Sequence, residues 1–438
     1  MKKVVLAMMT MGFLMSSGWV YAAHLKIKHW QTQGGSDVYF VSATSIPILD
    51  VRVIFAAGSS YDGNALGLAN VTNNMLGQGT HTQSADQIAT GFDKVGAQVS
   101  MDIDPDRAMI TMRTLTENTY FRPALDNFED TIAHAVFEPN AFKRVVSKAI
   151  AEIQVGQQSP DTVAMNVFIK LLYGDQPYAH PTTGDKLSVS RLTSQQAQDF
   201  YKKYYVAKNA NIVMVGAISE SQAKVIAEEI ASKLPEGSAA PALPMMMTSA
   251  EGKEVHNDFP AQQTTVILGQ LGINRENPDF YALTLGNYIL GALPMTSLLF
   301  QNVRNKEGLA YYATSQFNLL HYKGPFVIQS KTRSEKTKQT IQILRQTVND
   351  FVTQGPTEKQ LQDAKKFVHG NFLVSLATNK DILNVVTNIA FYKRPLDYLD
   401  NYLKNINAVT RVQVKSAMLK ALQPKQMLLV TVGKVNGD

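Results

Sequence analysis

Three pairs of residues in this chain recur at one spacing, and each pair stands at the same kind of junction. Thr193 and Thr410 open helical stretches, Gly216 and Gly433 close apolar runs, and Pro139 and Pro356 precede long helical patterns, all 217 apart (410 − 193, 433 − 216, 356 − 139). One coincidence is cheap; three at a single offset indicate a duplicated unit. A low-complexity bridge running from Pro235-Glu236-Gly237-Ser238 through Pro241 and Pro244 to Ser249-Ala250-Glu251-Gly252 separates the copies. Such a stretch reads as an extended linker. With 438 residues the chain exceeds what one hydrophobic core spans. The division expected is a leader at 1–22, a first domain at 23–236, a linker at 237–252 and a second domain at 253–438. Cutting within 237–250 should then leave two compact fragments.

Each copy mixes two periodicities. Strand-like runs occupy 38–42, 49–56, 99–103 and 108–115 in the first, and 264–270, 312–318 and 325–330 in the second. Helical patterns cover 65–76, 84–94, 123–136, 139–155 and 161–172, then 279–290, 334–351 and 357–376. Ser84 and Thr193 sit where N-caps belong, and Pro123 and Pro139 suit a first helical turn. The fold class expected is α+β: two homologous domains, each a mainly antiparallel sheet layered with helices.

The amino terminus reads as an export signal. Lys2 and Lys3 precede an apolar stretch from Val4 to Leu14, and Val20-Tyr21-Ala22 offers a cleavage site. A bacterial periplasmic or secreted location follows, and no stable membrane insertion, since no later stretch has the apolar length of a spanning helix. There are no cysteines, which removes thiolate zinc sites, disulfides and cysteine nucleophiles together. The formal charge of +6 falls to +4 once Lys2 and Lys3 are removed, and no dense basic block points to nucleic acid.

The segment Gly67-Leu68-Ala69-Asn70-Val71-Thr72-Asn73-Asn74-Met75-Leu76-Gly77-Gln78-Gly79-Thr80 resembles the signature helix of the pitrilysin/insulinase family of inverted zinc peptidases. There a helix carries H-x-x-E-H between Gly-Leu-Ala and Met-Leu-x-x-Gly-Thr. The frame is in register here, but Asn70 and Asn74 stand at the histidine positions and Asn73 at the glutamate position. Positions three and four apart share a helical face, so two imidazoles and a carboxylate could converge on one ion. An asparagine amide is a weak neutral donor with no basic site, and it supplies neither zinc affinity nor a general base. The resemblance places Glu152 near the family's third ligand position; the same residue also reads as an ordinary exposed helix glutamate. Asn70-Val71-Thr72 also matches a glycosylation triplet, but its helix position and the bacterial-type signal argue against modification.

Similarity to this family extends over the mature chain. Tyr173-Gly174-Asp175-Gln176-Pro177-Tyr178, followed by Gly184, resembles a family turn, and Ser297 to Tyr311 resembles the family's R-x-x-x-G-L-A-Y segment. That motif supplies an arginine and a tyrosine, seven apart, opposite the zinc, and Arg304 and Tyr311 keep the spacing. A guanidinium can bind peptide carbonyls and a phenol can donate to an oxygen gaining charge. Tyr312 should face the other way. The resemblance implies a zinc-free subunit, inactive alone, that binds unstructured peptides and lends Arg304 and Tyr311 to a homologous H-x-x-E-H partner holding the zinc. A purely structural subunit and a homodimeric peptide-binding module are the competing readings. His24, His29 and His81 read as solvated, and Met245-Met246-Met247 as an apolar anchor rather than a metal site.

Overall fold

The computed structural model describes residues 25–244 and 252–434. The leader, His24 and the methionine run fall outside them. In the first half, strands β1 (Lys28–Gln31), β2 (Asp37–Ser42), β3 (Ile48–Phe55), β4 (Gln98–Ile103), β5 (Ala108–Leu115) and β6 (Ala210–Gly216) form one sheet in the order β1-β2-β6-β3-β5-β4. In the second, β7 (Glu254–Asp258), β8 (Gln263–Leu271), β9 (Ala310–Phe317), β10 (Pro325–Arg333) and β11 (Leu428–Gly433) form another in the order β7-β11-β8-β10-β9. Without β1 the two orders are the same, and so are the directions. The pairs β2–β6 and β7–β11 are parallel and every other pair is antiparallel.

The apolar runs that mark the repeat are β6 and β11, and each is second from the β2 or β7 side of its sheet. β11 is buried at every position, and β6 at all but Asn211. Continuous apolar strands of this kind belong where a sheet is covered on both faces. One face of each sheet packs on its own half: Phe40, Val51, Val53 and Met214 join the first core, and Leu268, Phe326 and Ile328 the second.

The other face of each sheet is covered by a helix from the opposite half. Ile382, Leu383, Val386 and Ile389 of the helix Asn379–Phe391 pack on Tyr39, Val41, Ile54, Val213 and Val215. Reciprocally, Ala164, Phe168 and Leu172 of the helix Pro160–Tyr173 pack on Ile267, Val327, Leu428, Val430 and Val432. Gly269 on β8 makes room for this: a Cβ there would stand 2.7 Å from the Phe168 ring. Polar contacts follow the same exchange. Arg52 donates to Asn384 at 2.9 Å and Thr387 at 3.1 Å, while Lys331 meets Asp161 at 3.2 Å. Buried Asp106 accepts from Tyr178, from Tyr392 at 2.8 Å and from the His321 backbone at 2.9 Å, and so ties both halves to one carboxyl.

Several elements depart from the sequence reading. Pro123 is not in a first turn but inside the helix Asn118–Ala133, because the Glu117 carbonyl starts that helix five residues earlier. The second-half helix expected at 279–290 is Phe280–Asn287 followed by a wider π turn, Tyr288–Ala292. The helices Glu220–Lys233, Asn379–Phe391 and Tyr398–Ala408 are additional, the first opened by a Ser219–Gln222 capping box and the second by a Thr378 cap. Among the described residues no helix is long and apolar enough to cross a membrane.

The helix exchange revises the expectation of two separable fragments. A chain nicked within 245–250 should remain one particle in size-exclusion chromatography under native conditions and separate only in denaturant. Phe168→Ala, which empties the contact over Gly269, should cost about 3–5 kcal/mol in denaturant unfolding. Fragments that separate without denaturant, or a Phe168→Ala cost below 1 kcal/mol, would contradict the interlocked arrangement.

Candidate functional site

The asparagine-bearing helix spans Leu68–Met75 and begins at Gly67, whose φ of +89° is left-handed. A side chain at this position would also collide, since a Cβ would lie 2.7 Å from the Thr183 carbonyl oxygen. The buried carboxyl of Asp62 caps the helix, accepting from the Gly67 N–H at 2.6 Å and the Ala69 N–H at 2.7 Å. Burial pushes this carboxyl up to about 7, against the pull of the two N–H bonds. His180 lies beside it at 3.9 Å, with its own pKa lowered, chiefly by burial.

Asn70 and Asn73 are buried, at 6% and 1% exposure. The Asn73 amide donates to the Asp102 carbonyl on β4 at 3.0 Å, and its oxygen accepts from the Tyr205 hydroxyl at 3.1 Å. Tyr205 is fully enclosed, and burial holds its pKa well above the ordinary phenol value, so it stays a donor. Asn74 turns its amide back onto Asn70, donating to the backbone oxygen at 2.9 Å and the side-chain oxygen at 3.0 Å. Glu152, on the helix Pro139–Gly156, is exposed and lies 3.9 Å from Lys148 on its own helix.

These residues do not fit a zinc ion. The amide nitrogen of Asn73 is committed to a backbone carbonyl, that of Asn74 to Asn70, and the only carboxylate of the set points to a lysine in solvent. Among the described residues no group of three or more His, Asp or Glu is placed to hold a metal. The helix works instead as a structural brace, pinning β4, the edge strand of its sheet, to the Tyr205 segment. His81 is exposed, and His29 pairs with Asp37 at 3.2 Å.

The second half brings Arg304 and Tyr311 together. Arg304 lies in a π-helical turn, Phe300–Lys306, a form often found at functional sites. Its guanidinium carbon is 4.5 Å from the Tyr311 ring centre and 4.9 Å from that of Phe300. Tyr311 is on β9, the edge strand of its sheet, and is 76% exposed. Strict alternation does not place it there. Ala310 pairs with Thr332 and Ala313 with Ser330, so three steps on β9 match two on β10 and the strand bulges across Tyr311-Tyr312. Bulges recur next to active sites, where they re-aim a side chain. Tyr312 is half-buried, its pKa pushed up to about 12 by burial and the nearby Asp161.

Neither Tyr205 nor Asp62 has a sequence signal of its own; Tyr205 lies 132 residues from the asparagine it holds. Comparison with known proteins extends the resemblance. A solved structure described as peptidase M16 inactive domain from Pseudomonas fluorescens superposes with a TM-score of 0.91 at 36% identity, covering 94% of this chain and 99% of that one. The chain belongs to peptidase family M16. The family models for insulinase (peptidase family M16) and for the peptidase M16 inactive domain match residues 38–186 and 191–368. A Bacillus subtilis relative named uncharacterized zinc protease YmxG is 24% identical over 89% of this chain and 94% of its own. A Helicobacter pylori relative named non-peptidase homolog YmxG is 24% identical over 84% of this chain and 85% of its own. This chain is thus an M16 peptidase homologue whose signature helix lacks the hydrolytic residues.

Two substitutions test the brace. Asn73→Asp keeps the acceptor for Tyr205 but removes the donor to the Asp102 carbonyl, so at neutral pH it should cost about 1–3 kcal/mol. The new carboxyl regains a donor on protonation, which raises its folded pKa, so the deficit should shrink as pH falls through that raised value. Unfolding at several pH values checks this, and a pH-independent deficit would contradict it. For Asp62, a folded value of about 7 against an ordinary 3.8 means stabilisation that is full below 3.8 and lost as pH rises towards 7. The stability of wild type relative to Asp62→Asn should therefore decline across that window; a difference that rises with pH would show an ionised cap instead.

Proposed function

We propose that this chain is the non-hydrolytic subunit of a two-subunit M16 peptidase, binding extended peptides and presenting Arg304 and Tyr311 to the active site of a homologous partner with an intact H-x-x-E-H helix. The observation that carries this reading is the arginine–tyrosine pair itself. A chain that kept only the fold would have no need of a bulged edge strand that stands Tyr311 out of the protein surface against Arg304. Among the described residues no hydrogen bond occupies the phenol, which can donate, or the guanidinium fork, which can receive carbonyl oxygens.

Peptide binding is supported by the edge strands β4 and β9, the first with its Asp102 carbonyl already taken by Asn73. An extended peptide can add to such an edge through main-chain hydrogen bonds with little dependence on sequence. Beside the helix Asn379–Phe391, a cavity of about 730 Å³ runs along the first sheet, lined by Arg52, Ser100, Asp102 and Arg113 among others. Its mixed charge suits peptide backbone and polar side chains. Zinc belongs to the partner in this reading, and export to the periplasm would bring the two together.

Alone, the purified chain should neither retain stoichiometric zinc nor cleave unstructured peptides. Mixed with an H-x-x-E-H sibling encoded nearby, it should raise cleavage, and Arg304→Ala or Tyr311→Phe should remove about a hundredfold of that gain while the complex stays assembled. Tyr312→Phe should be mild. Full activity from assembled Arg304 and Tyr311 variants would replace this reading with a purely structural subunit.

A further inference from the structure

The second half holds a partly open pocket that neither the asparagine helix nor the Arg304–Tyr311 pair uses. It has a volume of about 210 Å³ and lies among the helices Glu358–Val374, Asn379–Phe391 and Tyr398–Ala408 and the loop after β8. Phe280, Tyr288, Phe372 and Tyr402 give it aromatic walls, with Phe372 and Tyr402 stacked at 5.4 Å and 12°. No aspartate or glutamate lines it, but two arginines do, Arg275 and Arg394.

Both guanidiniums are held by their faces. Arg275 lies 3.9 Å from the Tyr392 ring centre, and Arg394 lies 4.5 Å from Tyr398 and 5.1 Å from Phe280. The Arg394 side chain also donates to the Arg275 carbonyl at 3.0 Å, which fixes the two residues relative to each other. Ring contacts use the faces of a guanidinium; Arg275 also hydrogen-bonds the Tyr392 side chain, and its remaining in-plane N–H groups are left for acceptors. The Arg275 Nε is buried and meets no acceptor among the described residues. Burial lowers the Arg275 pKa, and the neighbouring cations Arg107 and Arg394 act in the same direction. Two close cations in an aromatic pocket are costly unless an anion compensates them.

We propose that this cavity binds a small organic carboxylate carrying an aromatic body, with the carboxylate on Arg275 and Arg394 and the body among Phe372, Tyr288 and Tyr402. The volume lies below the roughly 300 Å³ at which drug-sized pockets begin, so the ligand is about the size of one aromatic residue. An ammonium group on the ligand would be disfavoured, since the lining holds cations and no carboxylate. Two sources share this chemistry: a free acid, and the carboxy-terminal residue of a peptide. Arg275 also lines a larger cavity of about 760 Å³ shared by the two halves, from which a chain end would arrive.

The test is calorimetric titration of the full mature chain with 3-phenylpropanoate, 3-phenylpropanamide, phenylalanine, and a short peptide ending in phenylalanine as free acid and as carboxy-terminal amide. At least one free acid should bind at least tenfold more tightly than its amide, as charge-assisted bidentate bonds require. Phenylalanine should bind more weakly than 3-phenylpropanoate. Arg394→Gln should reduce acid binding about tenfold without affecting the amide, and Phe372→Trp, which narrows the cavity, should reduce both. Binding by the peptide acid alone identifies the chain end as the ligand; binding by 3-phenylpropanoate alone identifies the free acid. The proposal is overturned if no acid binds, if acid and amide bind alike, or if a folded Arg394→Gln variant binds as wild type does. Should that variant fail to fold, the acid–amide comparison on wild type and the Phe372→Trp titration decide.

Discussion

Burial of one helix from each half against the sheet of the other is the contact on which the arrangement of this molecule depends. Phe168 seated over Gly269 and Val386 packed on the first sheet close faces that would otherwise expose continuous apolar strands. Exposing such a face costs on the order of 25 cal/mol for every Å² of apolar surface, and an uncovered sheet is also prone to aggregation. Because each half completes the other, the two sheets hold a fixed relation, and so do the functional features they carry. The asparagine helix is tied to β4 in one half and the Arg304–Tyr311 pair to β9 in the other. Asp106, accepting from groups of both halves, adds a polar tie where the apolar contacts end.

This framework explains how a signature helix can lose its chemistry and keep its shape. In the family pattern, the positions of Asn70, Asn73 and Asn74 bind a metal and activate water. Here the same positions satisfy one another, a β4 carbonyl and a buried phenol. An ionised glutamate in place of Asn73 could still accept from Tyr205 but could not donate to the Asp102 carbonyl, so the amide has become part of the packing. Restoring the histidines and the glutamate would meet a site whose polar neighbours are arranged for amides. In the second half the Arg304–Tyr311 pair shows no such absorption into the core: the tyrosine is exposed and the arginine lies over its ring.

Much of the fold was legible in the sequence because it rests on local rules. The repeat offset located β6 and β11, while the cover on both their faces emerged only from the structure. Ser84 and Thr193 are N-caps with complete capping boxes, as is Thr410, because a hydroxyl three residues before a glutamine satisfies helix-end donors whatever surrounds it. Pro123 misled, since a proline marks a helix start only where the chain has no earlier carbonyl to begin one.

The sequence by itself determined the duplicated α+β plan, the family frame around residues 67–80 and the absence from that frame of zinc-binding and proton-accepting groups. These follow from residue type and spacing, which do not change on folding. Only the tertiary structure decided which half covers which sheet, that Asn73 would be held by a tyrosine 132 residues away, and that a bulge would turn Tyr311 outward beside Arg304. Those outcomes depend on contacts between segments remote in the chain. No local propensity encodes them, because the energy of such a contact exists only once both surfaces have been brought together.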